Sequence, residues 1–375
     1  MLLFWLSAGL ISYVVIGYPL LLHLLAHRYS NPFRAGNQLL RISIVIPVHN
    51  GGRFLRRKLE SILKLDYPPD LVEVIVVSDG SEDDTIDVSR NFSDYGVQLL
   101  SIPRLGKPAA LNAAVPRVGG EILVLTDVRQ ELTPESIRWL VAPFADPAVG
   151  VVSGELILRE GSTRSEADVG VYWKYESWIR KNLSLLDSML GATGPFYAIR
   201  RKLFQPLPED ILLDDVYLPM TAFFKNFRLV VEPRAIAYDY PMTREREFRR
   251  KVRTLGGNYQ LLMRMPRLLG PSNRLLWHFL SYKVGRLLLP WLVFMVFASS
   301  VRLPSPWNVL LVGFQVTIGG LALCDPRIPQ RSALKRISSP ARTFLILMAA
   351  TVQGLKVLFV PPRSLWKVTD IASDS

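Results

Sequence analysis

A single cysteine, Cys324, stands in the whole chain. No intrachain disulfide can form, which agrees with a reducing environment for the water-exposed part. Histidine is nearly as scarce. His23, His27, His49 and His278 stand at no spacing that a zinc site uses, so zinc chemistry has no support. No Gly-x-Gly-x-x-Gly follows the first apolar run of the soluble region, which removes the phosphate cradle of a dinucleotide-dependent dehydrogenase. Repeats and low-complexity tracts are absent too. The last scarcity is local: Met1–Ala26 contains no Asp, Glu, Lys or Arg and is long enough to cross a bilayer as a helix. A cleaved signal peptide wants positive charge ahead of its apolar run and a small-residue cleavage site after it. Here Arg28, Arg34 and Arg41 follow the run instead. The segment reads as an anchor, with the amino terminus outside and the following domain cytoplasmic.

What is present is unevenly spread over the 375 residues. The net charge of +13 is concentrated between Thr243 and Arg286, where eleven Lys/Arg face two acids, Glu245 and Glu247. Phe248, Tyr259, Trp277, Phe279 and Tyr282 are interleaved with that charge, and another apolar run follows directly. A basic amphipathic segment lying on anionic membrane lipids accounts for this pattern more simply than nucleic-acid binding. Leu287–Val301 and Trp307–Cys324 read as spans. The basic loop Asp325–Arg342 belongs on the cytoplasmic side. Thr343–Val360, which contains Lys356, reads either as a span or as an interfacial helix. The expected plan is an anchor at 1–26, a soluble domain at 41–242, basic interfacial helices at 243–286, a membrane region of two or three segments at 287–361, and a tail at 362–375.

Within the soluble domain, apolar runs at 41–48, 72–78, 97–102 and 121–126 read as buried strands. Segments 53–65, 83–90 and 108–115 read as helices, the first from the spacing of Leu55, Leu59, Ile62 and Leu63. This alternation predicts an α/β domain with a mostly parallel sheet. Two of the runs, VVSDG and EILVLTD, each deliver an aspartate, Asp79 and Asp127, where a strand should stop. Ligands of open parallel sheets bind just beyond the carboxyl ends of the strands.

Three short segments in this domain can do chemistry. Ser78-Asp79-Gly80-Ser81 ends a strand and opens a helix, where Asp79 can accept hydrogen bonds from a base or a ribose. Plain helix capping by Ser and Asp is the alternative. Gly106-Lys107-Pro108 places a lysine at a helix start, where it can meet a diphosphate as a point charge. A solvated surface lysine is the alternative there. Asp214 and Asp215 follow the apolar Ile211–Leu213. Adjacent carboxylates repel, so this placement suggests a hydrogen-bonded or functional setting. One of the two can take a proton from an acceptor hydroxyl; for Asp214 an ordinary helix start is equally open.

IVIPVHN, VVSDGSEDD, GKPAALN, LVLTD, GATGPFYAIRR, LLDDVYLP and EFRRKVRT occur together and in order. Over about residues 41–260 they resemble the inverting family-2 glycosyltransferases, in the integral-membrane branch of polysaccharide and glycolipid synthases. The resemblance implies a GT-A fold, a nucleotide-diphospho-sugar donor, a saccharide or lipid-linked acceptor, and Mg2+ or Mn2+. It implies a multi-pass protein of the plasma (inner) membrane. It also implies roles residue by residue. Asp79 contacts the nucleotide's base or ribose, in a pocket shaped by Pro47, His49 and Asn50. Lys107 lies near the diphosphate. Asp127 matches the first acid of Asp-x-Asp, and Asp215, beside Asp214, matches the general base. Gly191–Gly194 and Arg200–Arg201 fall in the acceptor-positioning region. Arg250 to Thr254 align with Gln-x-x-Arg-Trp, with Arg253 in the arginine's place as part of the catalytic set and Arg250 near the acceptor.

Two positions depart from the family pattern. Arg129 stands where the second acid of Asp-x-Asp should be, leaving Asp127 as the one expected protein ligand of a metal. Either the metal is held by Asp127, the diphosphate and water, or Arg129 itself counters the phosphate charge. Thr254 replaces the motif's tryptophan, which weakens the case for processive polymerisation. Single-sugar transfer is therefore the expected activity. A processive synthase, which needs a channel and so a membrane partner protein, is one alternative. A membrane scaffold that has lost its chemistry is another.

Overall fold

A computed structural model describes residues 1–158, 164–240, 244–329 and 331–362, with side chains on the helix Arg164–Leu186 described from Trp173 onward. The expected domain edge at 242/243 and the tail from 363 lie outside the described residues. The chain divides into a helical unit, Met1–Leu25, Glu160–Ile179 and Met242–Pro361, and a sheet unit, Ala26–Arg159, Arg180–Pro241 and Pro362–Ser375.

The sheet unit is built on eight strands: β1 (Ile42–Val48), β2 (Val72–Asp79), β3 (Val97–Ile102), β4 (Ile122–Thr126), β5 (Glu131–Leu132), β6 (Val149–Leu158), β7 (Phe196–Arg200) and β8 (Arg228–Asp239). Their order is β3-β2-β1-β4-β7-β6-β8-β5. β1 to β4 run parallel; β7 then enters antiparallel between β4 and β6, and β6 and β8 are again parallel. The first four strands lie within a residue of their expected positions. Ile42, Ile44, Val45, Ile46, Val76, Val77, Leu123 and Val124 have essentially no exposed surface, because helices cover both faces of a parallel sheet. Pro47, which has no N–H to give, lies beyond Val45, where pairing with β4 has ended.

The helix Gly52–Leu63 packs on this sheet through Leu55, Leu59 and Ile62. Leu63, counted in its apolar stripe by spacing, is 45% exposed. The stripe contains Lys58 instead, with no exposed surface at all.

In the helical unit, four helices are long and apolar enough to cross a membrane: Leu2–Arg28, Leu276–Ser300, Trp307–Arg327 and Lys335–Leu358. The second begins well ahead of the Leu287 start expected from hydropathy. Arg286 ended the apolar run in sequence, but in the structure it pairs with Glu176 and lies over the rings of Tyr175 (5.5 Å) and Tyr282 (4.5 Å). A paired charge need not end a helix. The segment 343–360, open in sequence, lies mostly in the helix Lys335–Leu358, which has a span's length and composition. The stretch 325–342, expected as a loop, contains a buried ionic staple. Asp325 accepts from Lys335 at 2.8 Å and Ser338 at 2.7 Å, joining the third of these helices to the fourth.

Candidate active site

The carboxyl ends of β1, β2 and β4 and the start of the helix Lys107–Ala114 lie in one unit, and their loops are tied together by named hydrogen bonds. Asp79, the last residue of β2, has its side chain 5% exposed. Its carboxylate accepts the N–H groups of Leu105 (2.7 Å) and Gly106 (3.0 Å to each oxygen) and a guanidinium N–H of Arg104 (3.2 Å). Those contacts occupy most of what a carboxylate can accept. Asp79 therefore fixes the loop that presents Lys107. His49 donates from Nδ1 to the Asp79 carbonyl at 2.9 Å, and the Asn50 side-chain oxygen accepts the Glu82 N–H at 2.8 Å. His49 and Asn50 thus tie the end of β1 to the end of β2 and the loop after it, with Pro47 opposite Val77 in the ladder.

Lys107 opens its helix behind Gly106, whose φ of +97° suits glycine. Its ammonium lies 2.9 Å from Asp127 Oδ1 and 3.3 Å from Asp214 Oδ2. Burial alone would lower its pKa, but Asp127 and Asp214 outweigh that and hold it above the ordinary lysine value. Lys107 is a permanent cation.

Asp214 and Asp215 open the helix Asp214–Phe223, where the helix dipole favours negative charge. Asp214 is buried against Lys107, while Asp215 is half-buried. The backbone of Asp215 accepts the Ala192 N–H at 2.8 Å. Gly191, at φ +109°, turns the chain there. A Cβ on Gly194 would meet Asp215 Oδ2 at 2.5 Å, so only glycine leaves that carboxylate its place. Asp79 through its loop, and Asp127 and Asp214 directly, are thus tied to one lysine, with Asp215 next along the helix from Asp214.

Two side chains in this region carried no signal in the sequence. Tyr197, on β7 opposite Leu125, is fully buried, and its hydroxyl has no hydrogen-bond partner among the described residues. Burial, then Asp214, Asp215 and Asp127, push its pKa well up, so it stays a protonated donor. Lys58 donates to Thr126 Oγ1 and to the Gln130 carbonyl, each at 2.7 Å, bracketing the turn that carries Asp127 and Arg129. Burial pulls its pKa down to about 7 against the opposing pull of Asp127 and Glu131. Thr126 donates in turn to the Pro195 carbonyl at 2.9 Å, linking this turn to the Gly194 turn.

Arg129 donates to Asp239 Oδ1 (3.2 Å) and to the Tyr240 carbonyl (3.1 Å), with its guanidinium 5.9 Å from the Phe54 ring centre. These residues do not fit a Mg2+ or Mn2+ cage. Asp127 already faces an ammonium, the next motif position is a fixed cation, and among the described residues no three His, Cys, Asp or Glu stand together as a metal group.

Arg200 spends its guanidinium on the carbonyls of Val149, Phe144 and Asp146 and supports the sheet. Arg250 and Arg253 lie in the helical unit, on the helix Arg244–Arg264. Arg250 there pairs with Glu247 at 2.8 Å and lies over the Trp173 ring at 5.0 Å.

The family model described as glycosyl transferase family 2 matches residues 43–207. Among curated proteins, the chain is 25% identical over 242 residues to the probable glycosyltransferase YdaM of Bacillus subtilis. It is 23% identical over 236 residues to a poly-beta-1,6-N-acetyl-D-glucosamine synthase of Staphylococcus epidermidis. Each alignment covers 60% of this chain and 57% of the relative. Among solved structures, the mannosyltransferase PcManGT of Pyrobaculum calidifontis, in complex with GDP-Man and Mn2+, superposes with a TM-score of 0.74 at 23% identity. That match covers 95% of this chain and 99% of the other, and it shows a shared fold.

Proposed function

We propose, from the family model over residues 43–207 and the shared fold, that the chain is a membrane-bound inverting transferase of glycosyl transferase family 2. It moves one sugar from a nucleotide-diphospho-sugar to a hydroxyl of a saccharide or lipid-linked acceptor, in the synthesis of cell-envelope polysaccharide or glycolipid. The four apolar helices support an integral, multi-pass protein of the plasma (inner) membrane, with the sheet unit on the cytoplasmic side, where nucleotide sugars are made.

The observation that carries this reading is the division of labour around Lys107. Asp214 is buried 3.3 Å from the lysine; Asp215, its neighbour, is half-buried, and Gly194 leaves room for its carboxylate. Asp215 takes the proton of the acceptor hydroxyl as that oxygen bonds to the anomeric carbon. The bond from that carbon to the β-phosphate oxygen breaks on the opposite face, and its electron pair leaves with the nucleoside diphosphate. An α-linked donor therefore gives a β-linked product. Lys107 meets the charge that develops on the leaving group. Asp127 holds Lys107 and faces the donor sugar. Pro47, His49 and Asn50 wall the nucleoside, and Asp79 keeps their loops in register. For Arg250 and Arg253, on the helical unit, the roles proposed rest on their motif position alone.

Asp215→Asn should retain nucleotide binding and lose transfer by roughly a thousandfold. Near-normal turnover by that variant removes Asp215 from the base role. The poly-N-acetylglucosamine synthase among the relatives supports a second reading, a processive synthase working with a membrane partner protein. Thr254 in place of the motif's tryptophan favours single transfer. Product length from purified protein separates the two.

A further inference from the structure

Lys107 Nζ already holds the place at Asp127 that a cation would take, 2.9 Å from Oδ1, and it leans on Asp214 at 3.3 Å. Two residues past Asp127, a hard divalent ion would look for a second carboxylate oxygen and meets the guanidinium of Arg129. That guanidinium is largely buried and fixed by Asp239 and the Tyr240 carbonyl, so it does not simply swing away into solvent. Beneath the same turn, Lys58 holds Thr126 and Gln130. A divalent ion entering here has to displace the Lys107 ammonium and then sit beside a second positive charge. It gains the carboxylates of Asp127 and Asp214 in return, but strips the buried Lys107 ammonium of both its partners.

We propose that this chain transfers its sugar without a divalent cation, Lys107 and Arg129 together meeting the charge of the departing diphosphate. The inference rests on the glycosyl-transfer reading above. The leaving nucleoside diphosphate gains one negative charge as the bond to the anomeric carbon breaks, while the acceptor's proton goes to Asp215. The ammonium acts on phosphate as a point charge, and the fixed guanidinium, whose Nε has no hydrogen-bond partner among the described residues, adds a second positive charge beside it, so the pair can offset by charge what a metal offsets by coordination.

The test uses the purified full-length protein with UDP and GDP as binding probes and their sugars as donors, in EDTA or in Mn2+. Nucleotide Kd and turnover are expected to agree between the two conditions. Arg129→Asp is expected to make nucleotide binding Mn2+-dependent by about tenfold, since it restores a second oxygen ligand. Lys107→Ala is expected to weaken nucleotide binding by about tenfold in EDTA, and Lys107→Arg to keep most of it. A wild-type Kd that tightens by about tenfold or more with Mn2+ overturns the proposal. So does turnover that collapses in EDTA and returns with Mn2+. If UDP or GDP binds equally well in both conditions but no sugar is transferred or hydrolysed in either, the metal-free site stands and the transfer reading falls. If neither nucleotide binds in either condition, both fall.

Discussion

Asp79 and Asp127 are written almost identically in the sequence, each at the end of an apolar run, and the folded chain uses them in opposite ways. The side chain of Asp79 is 5% exposed and that of Asp127 39%. Asp79 accepts from two backbone N–H groups and an arginine, which leaves it little capacity for a ligand. Asp127 accepts from the Lys107 ammonium and keeps part of its carboxylate open. A strand-end acid thus becomes a scaffold when the next loop folds back over it, and a site when only a side chain reaches it. The loop that closes over Asp79 is the one that delivers Lys107 to Asp127, so the first corner builds the second.

That contrast breaks most readily at Asp127. Asp127→Asn is expected to cut transfer by roughly a hundredfold or more while leaving the thermal unfolding midpoint close to wild type. Asp79→Ala is expected to do the reverse in kind. It orphans the N–H groups of Leu105 and Gly106 and costs about 1–3 kcal/mol of stability. Nucleotide binding then falls only through the loosened Lys107 loop. If Asp79→Ala melts like wild type but no longer binds nucleotide, Asp79 is a ligand-contacting residue and the contrast is wrong.

A smaller effect is expected from Gly194→Ala. The added methyl would press on Asp215 Oδ2, at 2.5 Å in the present geometry. Because the helix Asp214–Phe223 can shift slightly, turnover should fall by about tenfold to a hundredfold with nucleotide Kd unchanged. A variant with full kcat shows that Asp215 does not need the room that Gly194 leaves.

Much of the parallel half of the sheet was legible in sequence. ISIVIPV, VEVIVVSD and ILVLT are continuous apolar runs, and strands covered on both faces read that way. The antiparallel half was not. β6 carries two glycines, and β8 contains Pro233 with charged residues on both sides. Their burial comes from neighbours distant in the chain, which periodicity cannot register. The acids of the proposed site and of its supporting loop stand out in sequence for a related reason, since Asp79, Asp127 and Asp215 all end or follow apolar runs. Lys58 and Tyr197 do not, because a lysine in a helix and an aromatic in a strand carry no mark of which face they take. Arg286 misled in the same way: its partner Glu176 lies on a helix more than a hundred residues earlier.

Lys58 gives the mildest prediction and tests whether the Asp127 turn is held from below. Its folded pKa lies at about 7, below the ordinary lysine value of 10.5, because burial disfavours the charged form. The unfolded chain therefore binds this proton more tightly, and stability rises with pH across the window from about 7 to 10.5. Moving from pH 7 to pH 8 should add about 1 kcal/mol through this one group. Below pH 7 the lysine is charged in both states, and the cost of burying it is constant. Lys58→Met removes the titrating group while keeping an unbranched side chain in the same buried place. Its thermal midpoint, followed from pH 7 to 9 in detergent, should climb less than that of wild type by the amount this group contributes. The variant also loses both hydrogen bonds to Thr126 and Gln130, so a modest fall in turnover should accompany the flatter profile. Parallel profiles for the two proteins would mean that Lys58 stays protonated in the fold, paired with Asp127 and Glu131. In that case the turn beneath the site carries a permanent third cation.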